Sequence, residues 1–238
     1  MLAGVVGVRT PVLLATLERR LLVIYRLEPE AVVHLVPAPF WPQLVNGFAV
    51  GSLTLDHVTG LRPRRLPSAA GFASENAAHR IAVEWLQNGR TATGTFVLVR
   101  HTSSRRIAAL GDRFFPGQRE RAGFEVEDRG PNLRVACHSR DGATVIDAEV
   151  GEGGFTSELF ASPEDVWRFC LRGAMTASLR QRGGVLDWID ERARGGVVRS
   201  ASIERISSSV FPAAIGSPDS AIVARDVTVE WRAVPVPR

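Results

Sequence analysis

The stretch HRIAVEWLQNGRTATGTFVLVR, residues 79–100, contains the clearest fold signal in the chain. Two runs rich in β-branched and aromatic residues flank Asn88-Gly89, a dipeptide that favours the two-residue type I′ turn of a β-hairpin. Side chains alternate between the two faces of a strand, which places every second residue of the first run on one face. The stretch therefore predicts a pair of antiparallel strands.

The same hairpin signal occurs twice more. Asn46-Gly47 separates FWPQLV from FAVGSLTLDHV, and Asp141-Gly142 separates LRVACHS from ATVIDAEV. The last third of the chain again shows period-2 alternation, and no βαβ rhythm or internal repeat is present. The sequence predicts a mainly β fold, a large antiparallel β-barrel or curled sheet with a few short helices, as a single domain over residues 1–238.

Three short helices are predicted, each from a capping residue or a proline at its start. They cover residues 11–18, 104–114 and 163–172. A further helical turn is expected to begin at Pro29, before two prolines end it.

The composition restricts the chemistry. The chain has 238 residues with a net charge of +4, and all 29 residues of the Lys+Arg class are arginines. Without lysine, no side chain can form a Schiff base, and only the α-amino group could do so. Arginine titrates at very high pH, so the sequence pI of 10.2 reflects this choice of cation. With no nucleic-acid-binding signature, we expect no nucleic-acid partner.

Sequence patterns also exclude several classes of binding site and of cellular location. Prolines and polar residues interrupt the longest charge-free stretch, so no membrane association is expected, and without a secretory signal a cytoplasmic location is expected. The five histidines and two cysteines have no metal-ligand spacing, and no phosphate-binding glycine loop is present. We therefore predict no metal and no cofactor, and we expect both cysteines to be unpaired and buried. The expected partner is a small-molecule ligand, and homo-oligomer formation is left open.

Glu75 and His79 are the candidate catalytic residues. His79 shares a strand face with three apolar residues and so points inward, and Glu75 precedes it by four residues on the same side. A carboxylate and an imidazole in one interior can transfer a proton. The alternative is a core histidine that takes no part in chemistry.

Arg225 interrupts the apolar face predicted for the last strand. A buried guanidinium needs an anionic partner. That partner is either a carboxylate of the barrel, in a structural ion pair, or the carboxylate of a ligand.

The order of several segments resembles the acetoacetate decarboxylase-like superfamily, in particular a bacterial branch that lacks the Schiff-base lysine. The resemblance extends from about Leu21 to Trp231. It rests on the segments LLVIYRLEPEAVVHLVP, VNGFAVGSL, SENAAHRIAVEW and GDRFFPGQRERAGFEVE. It implies an antiparallel barrel around a small-molecule cavity.

The resemblance also implies where the site lies. The decarboxylases place a Pro-Lys-Lys motif in the cavity, and one of its lysines forms the Schiff base to a β-keto acid. Here Pro116 matches that proline, while Gly117 and Gln118 stand in place of the lysines. Glu75 is similar to the glutamate beside the reactive lysine. The candidate ligand-binding residues are Asn76, Arg113, Gln118 and Arg225.

Two functions follow as hypotheses. In the first, the central cavity binds a small acidic or carbonyl compound without Schiff-base chemistry. In the second, the protein is a lysine-independent lyase or isomerase, in which Arg113 or Arg225 holds a substrate carboxylate and Glu75 with His79 moves a proton.

Overall fold

The structure is a computed structural model that describes residues 11–110, 117, 119–172, 175–179 and 186–235. The strands are β1 (Leu13–Leu27), β2 (Trp41–Pro42), β3 (Leu44–Val45), β4 (Phe48–Pro63), β5 (Phe72–Gln87), β6 (Arg90–Thr102), β7 (Glu120–Arg129), β8 (Asn132–Ser139), β9 (Val145–Gly151), β10 (Met175–Leu179), β11 (Leu186–Arg194), β12 (Val197–Ser208) and β13 (Gly216–Val234). The helices are α1 (Pro29–Val32), α2 (Arg105–Leu110) and α3 (Pro163–Arg172), with short 3₁₀ turns at Val33–Leu35 and Ser68–Ala70.

Helix α3 confirms the predicted helix at 163–172, and α2 lies within the predicted range 104–114. Ser162 Oγ accepts a hydrogen bond from the Asp165 backbone N–H at 3.1 Å, which is an N-cap contact. No helix among the described residues is long and apolar enough to cross a membrane.

The helix predicted at 11–18 is wrong, because β1 occupies that region from Leu13 onward. β1 pairs with β4 on one side and with β13 on the other, along almost its whole length. Neighbouring strands pair with this segment on both sides, apart from Glu18. That tertiary pairing outweighs a local proline signal and a modest helix propensity.

The hairpin predictions are confirmed. Asn46 and Gly47 have φ values of 50° and 86°, and Asn88 and Gly89 have 50° and 73°, as a type I′ turn requires. The third turn, at Gly142 with φ 72°, joins β8 to β9, which pair in antiparallel fashion.

The strands form one curled sheet that is closed into a barrel. β1, β4, β5, β6, β10, β11 and β13 pair successively, and β13 returns to β1. The pairing is antiparallel apart from two short parallel contacts that β6 makes with β7 and with β10. The predicted fold class is correct, and these two contacts are the exceptions to its antiparallel order.

The barrel strands have two differently covered faces. We call the face toward the barrel interior the cavity face, and the face covered by β7, β8, β9 and β12 the packed face. On β1, Leu22 and Ile24 belong to the cavity face and pack near Val166 of α3, while Leu21 and Val23 belong to the main apolar core on the packed face. Helix α3 therefore covers one end of the barrel interior.

Two neighbouring bulges change the alternation in β1 and β13. The β1–β4 register shifts between Leu17 and Arg19, and in the β1–β13 pairing the facing residues Glu18 and Asp226 are both left unpaired. Asp226 has a positive φ of 58°. A bulge moves the residues beyond it to the other face of a strand. Arg225 is consequently on the packed face, not among the apolar residues that follow it.

Candidate functional site

A cavity of about 260 Å³ lies inside the barrel, on the cavity face of β1, β4 and β5. Its walls combine charged and apolar side chains. The charged residues among those described are Arg20, Asp56, Arg62, Arg80, Arg100, Arg119 and Glu191. A smaller space toward α3 shares Arg20, Arg80 and Glu191 with it.

Arg20 is the central cation at the inner end of the cavity. Its Nε and Nη2 atoms donate to the two carboxylate oxygens of Asp56, each at 2.9 Å, and its Nη1 donates to Glu191 Oε1 at 2.8 Å. Trp231 Nε1 donates to Glu191 Oε2 at 2.9 Å. One guanidinium thus holds two carboxylates, and its contact with Asp56 is bidentate.

Arg20 and Glu191 of this cluster are ionised despite their burial. Burial raises the pKa of the Glu191 carboxyl, but the charges of Arg20 and Arg80 outweigh it and lower the pKa to about 2. Burial lowers the pKa of Arg20, and the carboxylates of Asp56 and Glu191 more than reverse that effect. The pairing therefore keeps a fixed charge pattern in the cavity wall at neutral pH.

Arg80 and Arg100 are two further guanidinium groups in the same wall. Among the described residues, no carboxylate oxygen lies within 4.0 Å of either group. The Arg80 Nε is buried without a hydrogen-bond partner, and within the described part of the chain Arg100 Nη1 donates to the Ser178 hydroxyl, at 3.1 Å. Burial, with the neighbouring charges of Arg119 and Arg80, lowers the pKa of Arg100. A bound anion would relieve this unfavourable concentration of positive charge.

Gly117 provides the space that Arg100 occupies. Its φ of 93° is in the left-handed region that favours glycine, and it is buried. A Cβ added to Gly117 would overlap Arg100 Nη1 and lie 2.9 Å from Arg100 Cζ. Any side chain at this position would therefore displace the guanidinium.

Of the predicted ligand-binding residues, Asn76 lines the cavity. Its side-chain amide donates to the backbone oxygen and to the hydroxyl of Ser74, each at 3.0 Å. Arg113 and Gln118 lie outside the described residues. Within the described part of the chain, no group of three or more His, Cys, Asp or Glu side chains could hold a metal ion.

His79 points inward as predicted, but onto the packed face. Its side chain is fully buried, its Nε2 and Ser208 Oγ are 2.7 Å apart, and its ring meets Phe211 edge to face at 5.2 Å. Burial lowers its pKa to about 3, with a smaller contribution from His101. This environment matches the alternative of a core histidine.

Glu75 and Arg225 belong to one ion-pair network on the packed face, in which Arg19 and Asp128 lie between them. The Glu75 carboxylate accepts from Arg19 Nη2 at 2.5 Å and is 2.6 Å from His57 Nδ1. Arg225 donates to both carboxylate oxygens of Asp128, at 2.9 and 2.7 Å, and Arg19 approaches Asp128 to 4.0 Å. Arg225 is therefore in the structural ion pair that was the alternative to ligand binding.

We expected Glu75 and His79 to line the cavity together with Arg113 or Arg225. Arg113 lies outside the described residues, and none of Glu75, His79 and Arg225 lines the cavity. Asn76, Ala78 and Arg80 of β5 reach the cavity instead, so the two faces of this strand were exchanged in the prediction. Both faces of β5 carry apolar residues, and period-2 alternation alone cannot tell which one encloses a cavity. A chemical role for Glu75 or His79 stays a prediction.

The sequence analysis missed Arg20, Asp56, Arg80, Arg100 and Glu191. A usable signal was present for Arg20 and Arg80, since each is a charged residue within a long apolar strand. Charges in such places need a partner or a ligand. Their mutual proximity depends on strand register between distant segments, which the sequence alone does not show.

Comparisons with known proteins give a fold relationship. No protein-family model matches the sequence, and no curated protein is matched either. An acetoacetate decarboxylase-like enzyme from Sphingomonas wittichii is similar with a TM-score of 0.57 and 14% identity, over 97% of this chain and 93% of that one. Acetoacetate decarboxylase from Legionella pneumophila is similar with a TM-score of 0.59 and 12% identity, over 94% and 87% of the two chains.

The enduracididine biosynthesis enzyme MppR is also similar, with a TM-score of 0.56 and 11% identity over 98% of this chain and 88% of that one. At such identities the similarity establishes the fold. The chain has the acetoacetate decarboxylase-like fold, which confirms the resemblance seen in the sequence at that level.

Proposed function

We propose that the protein binds a small carboxylic acid in the barrel cavity through Arg80 and Arg100, without forming an imine. The observation that carries the proposal is a pair of guanidinium groups, on half-buried Arg80 and buried Arg100, with no carboxylate oxygen of a described residue within 4.0 Å. They lie beside Arg20, which already engages Asp56 and Glu191. A buried cation without a counter-ion is unfavourable. A ligand carboxylate would supply the missing acceptor oxygens and can bind a guanidinium in a bidentate manner.

A relative supports the choice of ligand. One structure of MppR is described as a complex with pyruvate, a small carboxylic acid that also contains a carbonyl group. That protein has the same fold at 10% identity. In this chain the absence of lysine leaves no side-chain amine to react with the carbonyl, so binding here is non-covalent.

The lyase or isomerase hypothesis receives less support. Its acid-base pair was Glu75 and His79, and neither side chain faces the cavity. Glu75 is engaged by Arg19 and His57, and burial holds His79 in the neutral form with a pKa of about 3. Ligand binding is the function that the arrangement of charges favours.

Isothermal titration with pyruvate and with its uncharged analogue pyruvamide tests the proposal. We expect pyruvate to bind and pyruvamide to bind at least tenfold more weakly, because a hydrogen bond to a charged group contributes about 1.5–3 kcal/mol. Arg80→Gln and Arg100→Gln should each weaken pyruvate binding by tenfold or more. Arg225→Gln removes the same charge on the packed face and serves as the matched control.

Three results would contradict the proposal. One is equal affinity for pyruvate and pyruvamide, which would mean that the guanidinium groups do not recognise the carboxylate. Another is a covalent adduct after borohydride treatment with pyruvate, on any residue other than the N-terminus. The third is that no carboxylate binds up to its solubility limit.

A further inference from the structure

The two ends of the cavity differ in chemistry. The inner end, toward α3, carries the charged cluster of Arg20, Asp56, Arg80 and Glu191 together with two threonines. The outer end is apolar and partly exposed, so it forms the mouth. The mouth residues are Leu13, Leu61, Pro63, Phe72 and Ile107.

Strand register places these two ends in order along the barrel. Leu13 pairs with Pro63 on β4, whereas Arg20 pairs with Asp56 on the same strand. Seven residues separate Leu13 from Arg20, which is about 20 Å along an extended strand. Because the bulge at Glu18 shifts the alternation, residues on both sides of it face the same cavity.

We infer that the natural ligand is an amphipathic carboxylic acid, whose carboxylate binds at Arg80 and Arg100 while an aliphatic chain or ring packs against the mouth residues. The inference rests on the proposed function and adds the class of the ligand's non-acidic part. An apolar wall that a ligand covers contributes binding free energy in proportion to the area removed from water.

The opposite orientation is unfavourable. It would place the apolar part of the ligand against Arg20, Asp56 and Glu191, whose charges would lose water without gaining a partner. Of the described residues, the cation at the mouth is Arg62, which already donates to the Gly60 carbonyl at 3.0 Å and to the Leu66 carbonyl at 3.3 Å. A carboxylate therefore has better partners at the inner end.

A homologous series of carboxylates separates this inference from the proposed function. We would titrate acetate, butanoate, hexanoate and octanoate, with octan-1-ol as the uncharged comparison. Affinity should increase about fourfold for each methylene from acetate to hexanoate, because burying one methylene contributes about 0.8 kcal/mol. Octan-1-ol should bind at least tenfold more weakly than octanoate, since it has no carboxylate.

Substitutions at the mouth locate the apolar part of the ligand. Leu61→Ser and Phe72→Ser should weaken hexanoate binding fivefold or more and leave acetate binding unchanged. Leu66→Ser is the matched control, because Leu66 is 47% exposed and does not line the cavity. Thermal unfolding of each variant shows that it is folded at the assay temperature.

The outcomes distinguish the two proposals. If acetate binds and affinity does not rise along the series, the inference is overturned and the proposed function stands. An equal loss of acetate and hexanoate binding in Leu61→Ser and Phe72→Ser would overturn the inference as well. If none of the carboxylates binds, the proposed function fails together with the inference.

Discussion

The two faces of β5 differ in the charge state of their buried polar groups. On the cavity face, Arg80 lines the same wall as Arg20 and Glu191, and the ion pair of Arg20 with Glu191 keeps both of those groups charged. On the packed face, His79 lies among apolar side chains, with a hydrogen bond to Ser208 and a pKa lowered to about 3. Arginine cannot lose its proton at accessible pH and so requires anions, whereas histidine becomes neutral. The face that keeps its charge is the one suited to binding a charged ligand.

The largest effect is expected from Arg20→Met. It leaves Asp56 and Glu191 buried without their main counter-ion, and breaking a buried ion pair in this way costs about 3–5 kcal/mol. Urea denaturation would measure the change in the free energy of unfolding. Arg80→Met is the control on the same face, with a smaller expected change, because Arg80 acts on Glu191 only through its charge and no carboxylate oxygen of the described residues lies within 4.0 Å of it. Similar losses in the two variants would contradict the assignment of Arg20 as the central cation.

A second prediction concerns His79 and pH. Its pKa in the folded state, about 3, is below the ordinary value of 6.5, so the unfolded chain binds the proton more readily. Its contribution to stability is complete above pH 6.5 and decreases as pH falls toward 3, by about 2 kcal/mol between pH 6.5 and pH 4.5. Glu191 has a depressed pKa of about 2, so its contribution is lost only below its ordinary pKa of 4.5.

Urea titrations at pH 7.0, 5.5 and 4.5 would separate these contributions. We expect His79→Phe to reduce the loss of stability over that interval, while His138→Phe, at an exposed histidine, leaves it unchanged. A wild-type pH profile identical to that of His79→Phe would mean that His79 is protonated inside the folded protein.

The third prediction tests the space that Gly117 provides. Gly117→Ala should displace the Arg100 guanidinium and weaken pyruvate binding about tenfold, through loss of a charged hydrogen bond. Gly47→Ala is the matched control, because Gly47 has a similar φ of 86° and open space around it. Both variants acquire comparable backbone strain, and only one should lose binding. Equal affinities for pyruvate would show that Arg100 does not contact the ligand.

The smallest effect is expected from Arg225→Gln. Arg225 and Asp128 form a partly exposed pair, with side chains 37% and 27% accessible, and such pairs contribute about 1 kcal/mol or less. Stability should therefore decrease slightly, and added salt should reduce the difference. A loss of pyruvate binding in this variant would place Arg225 in the site after all.

The hairpins were predictable because the residues that determine each turn are adjacent in the sequence. Asn46-Gly47 and Asn88-Gly89 adopt positive φ at both positions, and few other dipeptides do so readily. The α3 start was predictable for the same reason, since Ser162 caps its own helix. The error at residues 11–18 shows the limit, because β1 is a strand only through its partners β4 and β13.

The sequence by itself determined a mainly β chain, the positions of its tight turns and the absence of a lysine for imine chemistry. Only the tertiary structure decided which face of each strand encloses the cavity. Two coincident bulges, at Glu18 and Asp226, and the pairing of Arg20 with Asp56 and Glu191 depend on register between distant segments. Successive side chains of a strand point to opposite faces, so Asn76 reaches the cavity while its neighbour Glu75 does not. A one-residue shift in register would exchange these two faces.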